Sequence, residues 1–225
     1  GASALLVCSA ANTQWVEDVV SDGVGGALIV WTDNRVADYA NDVYAHRVSA
    51  FGVLDARWPV NGTAVCTAAN GQGELDATTD GAEGALLAWL DYRGGSGDPD
   101  LYVHRVRGDG TVDPGWPANG RLVHSGVNQY AAPRILPDGL GGALVLGVDT
   151  LAFVHHVLPN GTLDPSWPAG GVRLTMDYYD VFVEADGAGG DLGWEEGFVE
   201  SAGLGEFGGD LPDLSREVGV AFAEG

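Results

Sequence analysis

Two copies of one short pattern carry the residue types in this chain best suited to chemistry: Trp31-Thr-Asp33-Asn-Arg35 and Trp89-Leu-Asp91-Tyr-Arg93. Residues at spacing two share a face of an extended strand, so each copy sets an indole, a carboxylate and a guanidinium side by side. An aromatic plate beside charged hydrogen-bonding groups suits a sugar, through stacking and bidentate hydrogen bonds. Trp31, Asp33, Arg35, Trp89, Asp91 and Arg93 are therefore the candidate ligand-binding set. A packing role competes. In it the Trp fills space between repeated units, and the Asp and Arg pair with Asp42 and Arg47, or Asp100 and Arg105, of the next strand. Regular recurrence favours packing, because every repeat meets the same steric problem.

Other constellations are weaker. His46, His104 and His155 recur at one position of successive units, which spreads them apart, whereas metal ligands must converge within about 2–2.3 Å of one ion. Asp33, Asp38 and Asp42 bracket one acidic loop, and Asp91, Asp98 and Asp100 bracket its copy. Calcium takes several oxygens from such loops, but no EF-hand or nonapeptide spacing occurs. The chain has no Gly-x-Ser-x-Gly elbow, no His-Glu-x-x-His and no phosphate loop. The sequence thus predicts no catalytic residues, no metal site and no cofactor.

The elements that position these groups follow from a 58-residue echo. Trp58-Pro-Val-Asn-Gly62 returns as Trp116-Pro-Ala-Asn-Gly120 and again as Trp167-Pro-Ala-Gly-Gly171. The units run approximately 13–66, 67–124, 125–175 and 176–225, the last taken together with 1–12, within a single domain spanning 1–225. Unit one offers apolar segments at Trp15–Val20, Ala27–Thr32, Asp42–Val48 and Thr63–Thr67, separated by Asp-Gly and Asn-Gly signals that suit tight hairpins. Ala27–Trp31 and Ala85–Trp89 are continuous apolar runs, as in strands covered on both faces. Four short antiparallel strands per repeat predict an all-β protein, a β-propeller of about four blades.

The ends sharpen that expectation. Ala4–Ser9 resembles the fourth strand of a unit, while Val181–Ala185, Asp191–Glu195 and Val218–Ala223 supply three strands without a fourth. Pairing the N-terminal strand into the last blade would close the ring and hide its edges. The only short helical turn expected is Asp213–Arg216. Cys8 and Cys66 fall at equivalent places one repeat apart, too distant for a disulfide, so both are expected as free thiols. The absence of an initiator Met and of a leader-like segment reads as a processed form or a fragment.

The motif set Asp-Gly-x-Gly-Gly, Trp-x-Asp-x-Arg, Tyr-x-x-Arg and Trp-x-x-Asn-Gly resembles a group of secreted bacterial β-propeller repeats. Asp42-Val-Tyr44-Ala-His46-Arg47 and Asp100-Leu-Tyr102-Val-His104-Arg105 carry the likeness, with His where Gln is common in that group. Unit three departs from it, with Gly147-Val-Asp149-Thr-Leu151 lacking both Trp and Arg, and unit four has Trp194-Glu-Glu196. The resemblance implies an exported, extracellular or cell-surface protein and is poor for function. Composition narrows the partners. Thirty-two acidic residues stand against ten basic ones, all Arg, for a net charge of −22. Such a charge repels nucleic acid and anionic lipid, and no apolar run is long enough to span a membrane. The expectation is a non-catalytic structural or binding module acting by protein–protein association or self-assembly. The alternative is a lectin-like propeller that binds glycan at the Trp-Asp-Arg faces.

Overall fold

The computed structural model describes residues 4–36, 40–95, 97–174, 184–185 and 192–193. Its core is three four-stranded antiparallel sheets, one per repeat, each built by consecutive strands in sequence order. Sheet one holds β1 (Gln14–Ser21), β2 (Ala27–Asp33), β3 (Asp42–Val48) and β4 (Thr63–Cys66). Sheet two holds β5 (Gln72–Thr79), β6 (Ala85–Asp91), β7 (Asp100–Val106) and β8 (Arg121–His124). Sheet three holds β9 (Arg134–Pro137), β10 (Ala143–Val148), β11 (Ala152–Val157) and β12 (Val172–Leu174). A two-residue pair, β13 (Glu184–Ala185) with β14 (Leu192–Gly193), completes the described strands.

The Asp-Gly-x-Gly-Gly motif makes the first hairpin of each sheet. Asp22 accepts the backbone N–H groups of Val24 and Gly26 at 2.9 and 2.7 Å, and Asp80 and Asp138 repeat this toward Ala82, Gly84, Leu140 and Gly142. A β-carbon on Gly26, Gly84 or Gly142 would collide with that carboxylate and with the carbonyl of the facing strand. Glycine is therefore a steric requirement there. The same carboxylates anchor the third strand: Asp22 takes Arg47 at 2.7 Å, Asp80 takes Arg105 at 2.7 Å, and Asp138 takes His156 at 3.0 Å.

Sheets stack by their faces. Leu28, Val30, Val43, Ala45 and Val65 of sheet one pack on Leu75, Ala77, Leu87 and Trp89 of sheet two. Leu86, Ala88, Leu101 and Val103 on the far side of sheet two pack on Ile135, Val145, Phe153 and Val157 of sheet three. β6 is buried along its whole length, as its unbroken apolar run requires. Two polar clasps repeat across the seams. Bulges in β1 and β5 displace the register just before Asp18 and Asp76, a device that re-aims side chains. Asp18 then accepts Ala77 N–H at 3.2 Å, and Asp76 accepts Ile135 N–H at 2.8 Å. Trp58 and Trp116 fold back and cross the seams, their indole N–H groups reaching the carbonyls of Gly108 and Pro159.

The expected closed propeller of four blades is not what forms. The described strands make three separate four-stranded sheets, and no sheet closes on itself. Each ladder takes its fourth strand from its own repeat, and the N-terminal segment joins none of them. Residues 4–9 adopt no strand. They meet sheet one through side chains instead, with Ser9 N–H donating to the Asn61 carboxamide at 2.8 Å and Arg35 reaching Cys8 Sγ at 3.4 Å. The expected segments Val218–Ala223 and Asp213–Arg216 lie outside the described residues, as do most of Val181–Ala185 and Asp191–Glu195.

Candidate functional site

The two Trp-Asp-Arg sets are built identically. Trp31 lies near the end of β2 and Asp33 ends it, while Arg35 falls in the turn beyond, where the chain curls back over its own strand. The Asp33 carboxylate accepts the Trp31 indole N–H at 2.9 Å, the Arg35 backbone N–H at 2.8 Å, and the guanidinium at 2.9 Å through Nε and 2.6 Å through Nη2. In sheet two Asp91 accepts the same four donors from Trp89 and Arg93 at 2.6–2.9 Å. Each guanidinium also donates to a turn carbonyl, of Asn61 at 2.9 Å or of Asn119 at 2.7 Å. Its flat face lies over Tyr44 at 3.8 Å or over Tyr102 at 3.7 Å, a cation–π contact.

This geometry leaves little to offer a ligand. Trp31 is 2% exposed and Trp89 fully buried. Each indole is stacked with its tyrosine and roofed by Gly62 or Gly120, where a β-carbon would enter the ring. Burial pulls the Asp33 carboxyl upward, yet the hydrogen bonds from Arg35 and Trp31 outweigh it and hold the pKa below the ordinary carboxylate value. The packing role expected from recurrence matches this, but with different partners. Asp33 and Asp91 pair with the arginine two residues on. Arg47 instead joins Asp22, Asp55 and Glu83, and Arg105 joins Asp80 and Asp113.

Three contributors escaped the sequence reading. Tyr44 and Tyr102 were seen as motif letters, not as platforms for arginine. Asn61 and Asn119, at φ 68° and 60°, offer their carbonyls to the guanidinium and their carboxamides to the preceding strand position. Cys8, Cys66 and His124 occupy one recurring place beside the next sheet's carboxylate group. Cys66 Sγ lies 3.5 Å from Arg93 and 3.9 Å from Asp91, and His124 Nε2 lies 3.1 Å from Asp149. Both cysteines are free. Burial pushes the Cys66 thiol up to about 12, where it is a poor nucleophile.

His46, His104 and His155 stand one to a sheet, and His155 meets His124 at 3.3 Å. His46 stacks on Trp58 and His104 on Trp116. Burial pushes His104 and His155 down to about 4, so both are neutral near pH 7. Among the described residues no three His, Cys, Asp or Glu side chains are grouped to hold a metal, and Asp38 of the first acidic loop lies outside the described residues. The Asp33 and Asp91 oxygens are taken by Trp and Arg, and Asp100 accepts Gly126 N–H at 3.0 Å. Asp42 differs: it faces Asp33 across the β2–β3 ladder, and burial first, then the Asp33 charge, raise it to about 6.

Two surface clefts lie among the described residues. One of about 440 Å³ is lined by Asn41, Asn70, Gln72 and Tyr92 with intervening glycines, and the buried Gln72 Oε1 has no hydrogen-bond partner among the described residues. The other, about 300 Å³, runs between Arg57, Arg105 and Arg107, whose guanidinium groups are engaged by Asp55, Glu83, Asp80 and Asp113.

No protein-family model matches the chain, and no curated protein does. Among solved structures it is similar to a protein of unknown function from Bacteroides caccae, at 17% identity and a TM-score of 0.39. The match covers 67% of this chain and 44% of that one, so the chain spans less than half of that protein's length. A likeness at this level carries no argument about function.

Proposed function

We propose that this chain is a non-catalytic structural or binding module of an exported bacterial protein, acting by association with other proteins or with further copies of itself at the cell surface. The placement outside the cell rests on the resemblance of its motifs to secreted bacterial repeats. The association rests on one observation. The polar constellations are spent inside the fold, while apolar side chains lie open on one face of sheet one: Val16 is 65% exposed, Val19 56% and Phe51 91%. The counterpart of Val19 in sheet two, Ala77, is buried against sheet one, while those of Val16 and Phe51 are the exposed polar residues Glu74 and Asp109, so sheet one alone presents apolar side chains at these three places. A grouped apolar face of this kind marks an interaction surface. The glycan reading required the Trp31 or Trp89 face to be open, and no observation favours it.

Light scattering across a salt series tests the reading. Attachment to a basic partner should weaken as the screening length falls below about 8 Å. Self-association should hold or strengthen, because two chains of net charge −22 repel one another less in salt. A chain that stays monomeric at every salt concentration, captures no protein and turns over a small molecule saturably would defeat the proposal.

A further inference from the structure

One buried polar atom at the seam of sheets one and two answers no need of the fold. Gln72 opens β5 and is 1% exposed. Its backbone N–H crosses the seam to the Asn41 carbonyl at 2.8 Å. Its side-chain Nε2 donates to the carbonyls of Ala68 and Asn70, each at 3.4 Å. Two carbonyls require a donor, so the carboxamide nitrogen faces them and Oε1 is turned away. Among the described residues Oε1 has no partner. A buried acceptor left in that state costs stability.

The next seam meets the same need without a polar side chain. Val127 N–H crosses to the Pro99 carbonyl at 2.8 Å, as Gln72 N–H crosses to Asn41. Val127 is 2% exposed and packs in the core between sheets two and three. Sheet one carries Gln14 at the place of Gln72, but there it is only half-buried. Asn34 stands in sheet one where Tyr92 stands in sheet two, and its carboxamide oxygen accepts Thr13 N–H at 2.7 Å. Among the described residues, the buried glutamine and the tyrosine come together only in sheet two.

Gln72 lines the cleft of about 440 Å³ together with Asn41 from sheet one, Asn70 ahead of β5 and Tyr92 after β6. Small-molecule sites have volumes of about 300–1,000 Å³. Three carboxamides, a phenol and glycines make the lining, with no charged side chain among them. Tyr92 is half-buried and packs against the core of sheets two and three. Burial first, then nearby Glu74 and Tyr130, raise the pKa of its hydroxyl, which therefore stays a donor. Carboxamides both donate and accept, and beside an aromatic ring they suit a compact ligand that carries several hydroxyls. Glu74 and the net charge of −22 oppose an anion.

We propose that this cleft is a binding site for a neutral saccharide residue, which lies against Tyr92 and donates a hydroxyl hydrogen bond to Gln72 Oε1. The two Nε2 bonds are long, so the carboxamide can tilt toward the ligand without giving up a strong contact. The site is separate from the Trp-Asp-Arg faces, which stay closed. It goes beyond the association reading and does not depend on it.

Nuclear magnetic resonance on the full chain tests the site, by titration with the methyl glycosides of glucose, galactose, mannose and N-acetylglucosamine. At least one of them should shift the side-chain amide signals of Gln72, Asn41 and Asn70 saturably, and glucuronate should not. Gln72→Val installs the residue of the next seam. It should weaken binding about tenfold, the effect of one lost hydrogen bond, while the melting temperature holds or rises. Tyr92→Asn installs the residue of sheet one and should weaken binding at least as much, whereas Gln14→Val should leave it unchanged. No saturable shift with any of the four glycosides would overturn the site, and so would binding that survives both Gln72→Val and Tyr92→Asn. Glucuronate bound as tightly as methyl glucoside would overturn the neutral class. Sedimentation velocity on the same variants should show unaltered self-association, so failure at this cleft leaves the association reading standing.

Discussion

Sheets two and three meet the same internal problem with different atoms. In sheet two a buried tryptophan fills the space, and Asp91 is saturated by Trp89 and Arg93 from its own strand and turn. In sheet three Gly147 stands where Trp89 stood. Phe153 fills the gap, lying over Gly147 so closely that a β-carbon would meet its ring, and His124 stacks on Phe153 at 4.0 Å. Asp149 keeps its place and accepts Leu151 N–H at 3.0 Å as Asp91 accepts Arg93 N–H at 2.9 Å. Its cation has moved, for Arg173 arrives from β12 and donates to both carboxylate oxygens at 2.7 Å. The carboxylate is the constant because it closes the turn after the second strand. The aromatic and the cation are interchangeable fillers that any neighbouring strand can supply.

The largest test of that contrast is in the aromatic layer. Trp89→Ala should cost about 3–5 kcal/mol in urea unfolding, the range for emptying a buried aromatic site. Gly147→Ala should cost about 1–3 kcal/mol by overpacking against Phe153 and Leu101. A Trp89 variant within about 0.5 kcal/mol of the parent would show that the ring is not part of the clamp.

A smaller difference should separate the carboxylates. Asp91→Ala strands a partly buried guanidinium and an indole N–H, a loss of about 3–5 kcal/mol. Asp149→Ala should cost about 1–2 kcal/mol, because the Arg173 side chain is 40% exposed and can turn to water. Equal losses would erase the distinction between a local and an imported cation.

The smallest effect compares sheets one and two at Asp42 and Asp100. Asp100 accepts Gly126 N–H, whereas among the described residues Asp42 has no such donor, and buried beside Asp33 it releases its proton at about 6. Unfolded, it would titrate near 3.8. The fold therefore binds that proton more tightly than the unfolded chain does, and the penalty of ionised Asp42 is present above pH 6 and relieved as pH falls toward 4. Asp42→Asn should stabilise the protein by about 1 kcal/mol near neutral pH, allowing for the water that still reaches the site, with the gain gone below pH 4. Asp100→Asn should give no gain. His104 and His155, held at about 4, act with the opposite sign over the same interval, so the comparison needs variant against parent at each pH. A pH-independent effect of Asp42→Asn would refute the assignment.

Legibility followed locality. The strands of units one and two were readable because the echo lined up turn signals with apolar runs, and β3 begins and ends as expected at Asp42 and Val48. The Trp-Asp-Arg spacing correctly placed three groups together. It misassigned the ion pair, because Arg35 lies past the strand end and folds back where strand alternation no longer applies. In unit three Phe153, His124 and Arg173 come from different strands, two of them outside the motif window, and no spacing rule connects them. The N-terminal segment shows the limit most plainly. Its likeness to Thr63–Thr67 predicts a strand in the last blade, whereas residues 4–9 form no strand and Cys8 lies 3.4 Å from Arg35. Likeness alone does not supply a hydrogen-bonded ladder, since that depends on an edge elsewhere being free.

The buried thiol at the first seam has a practical consequence. Cys66 is 1% exposed, lies between sheets one and two, and keeps its proton at any ordinary pH. An alkylating reagent can reach it only when those sheets part, so its labelling rate reports the free energy of that single opening. Cys8, half-buried at the rim, reacts without such an event and serves as the reference on the same molecule. The chain thus carries an internal gauge of how often its repeats separate, readable by mass without adding a probe.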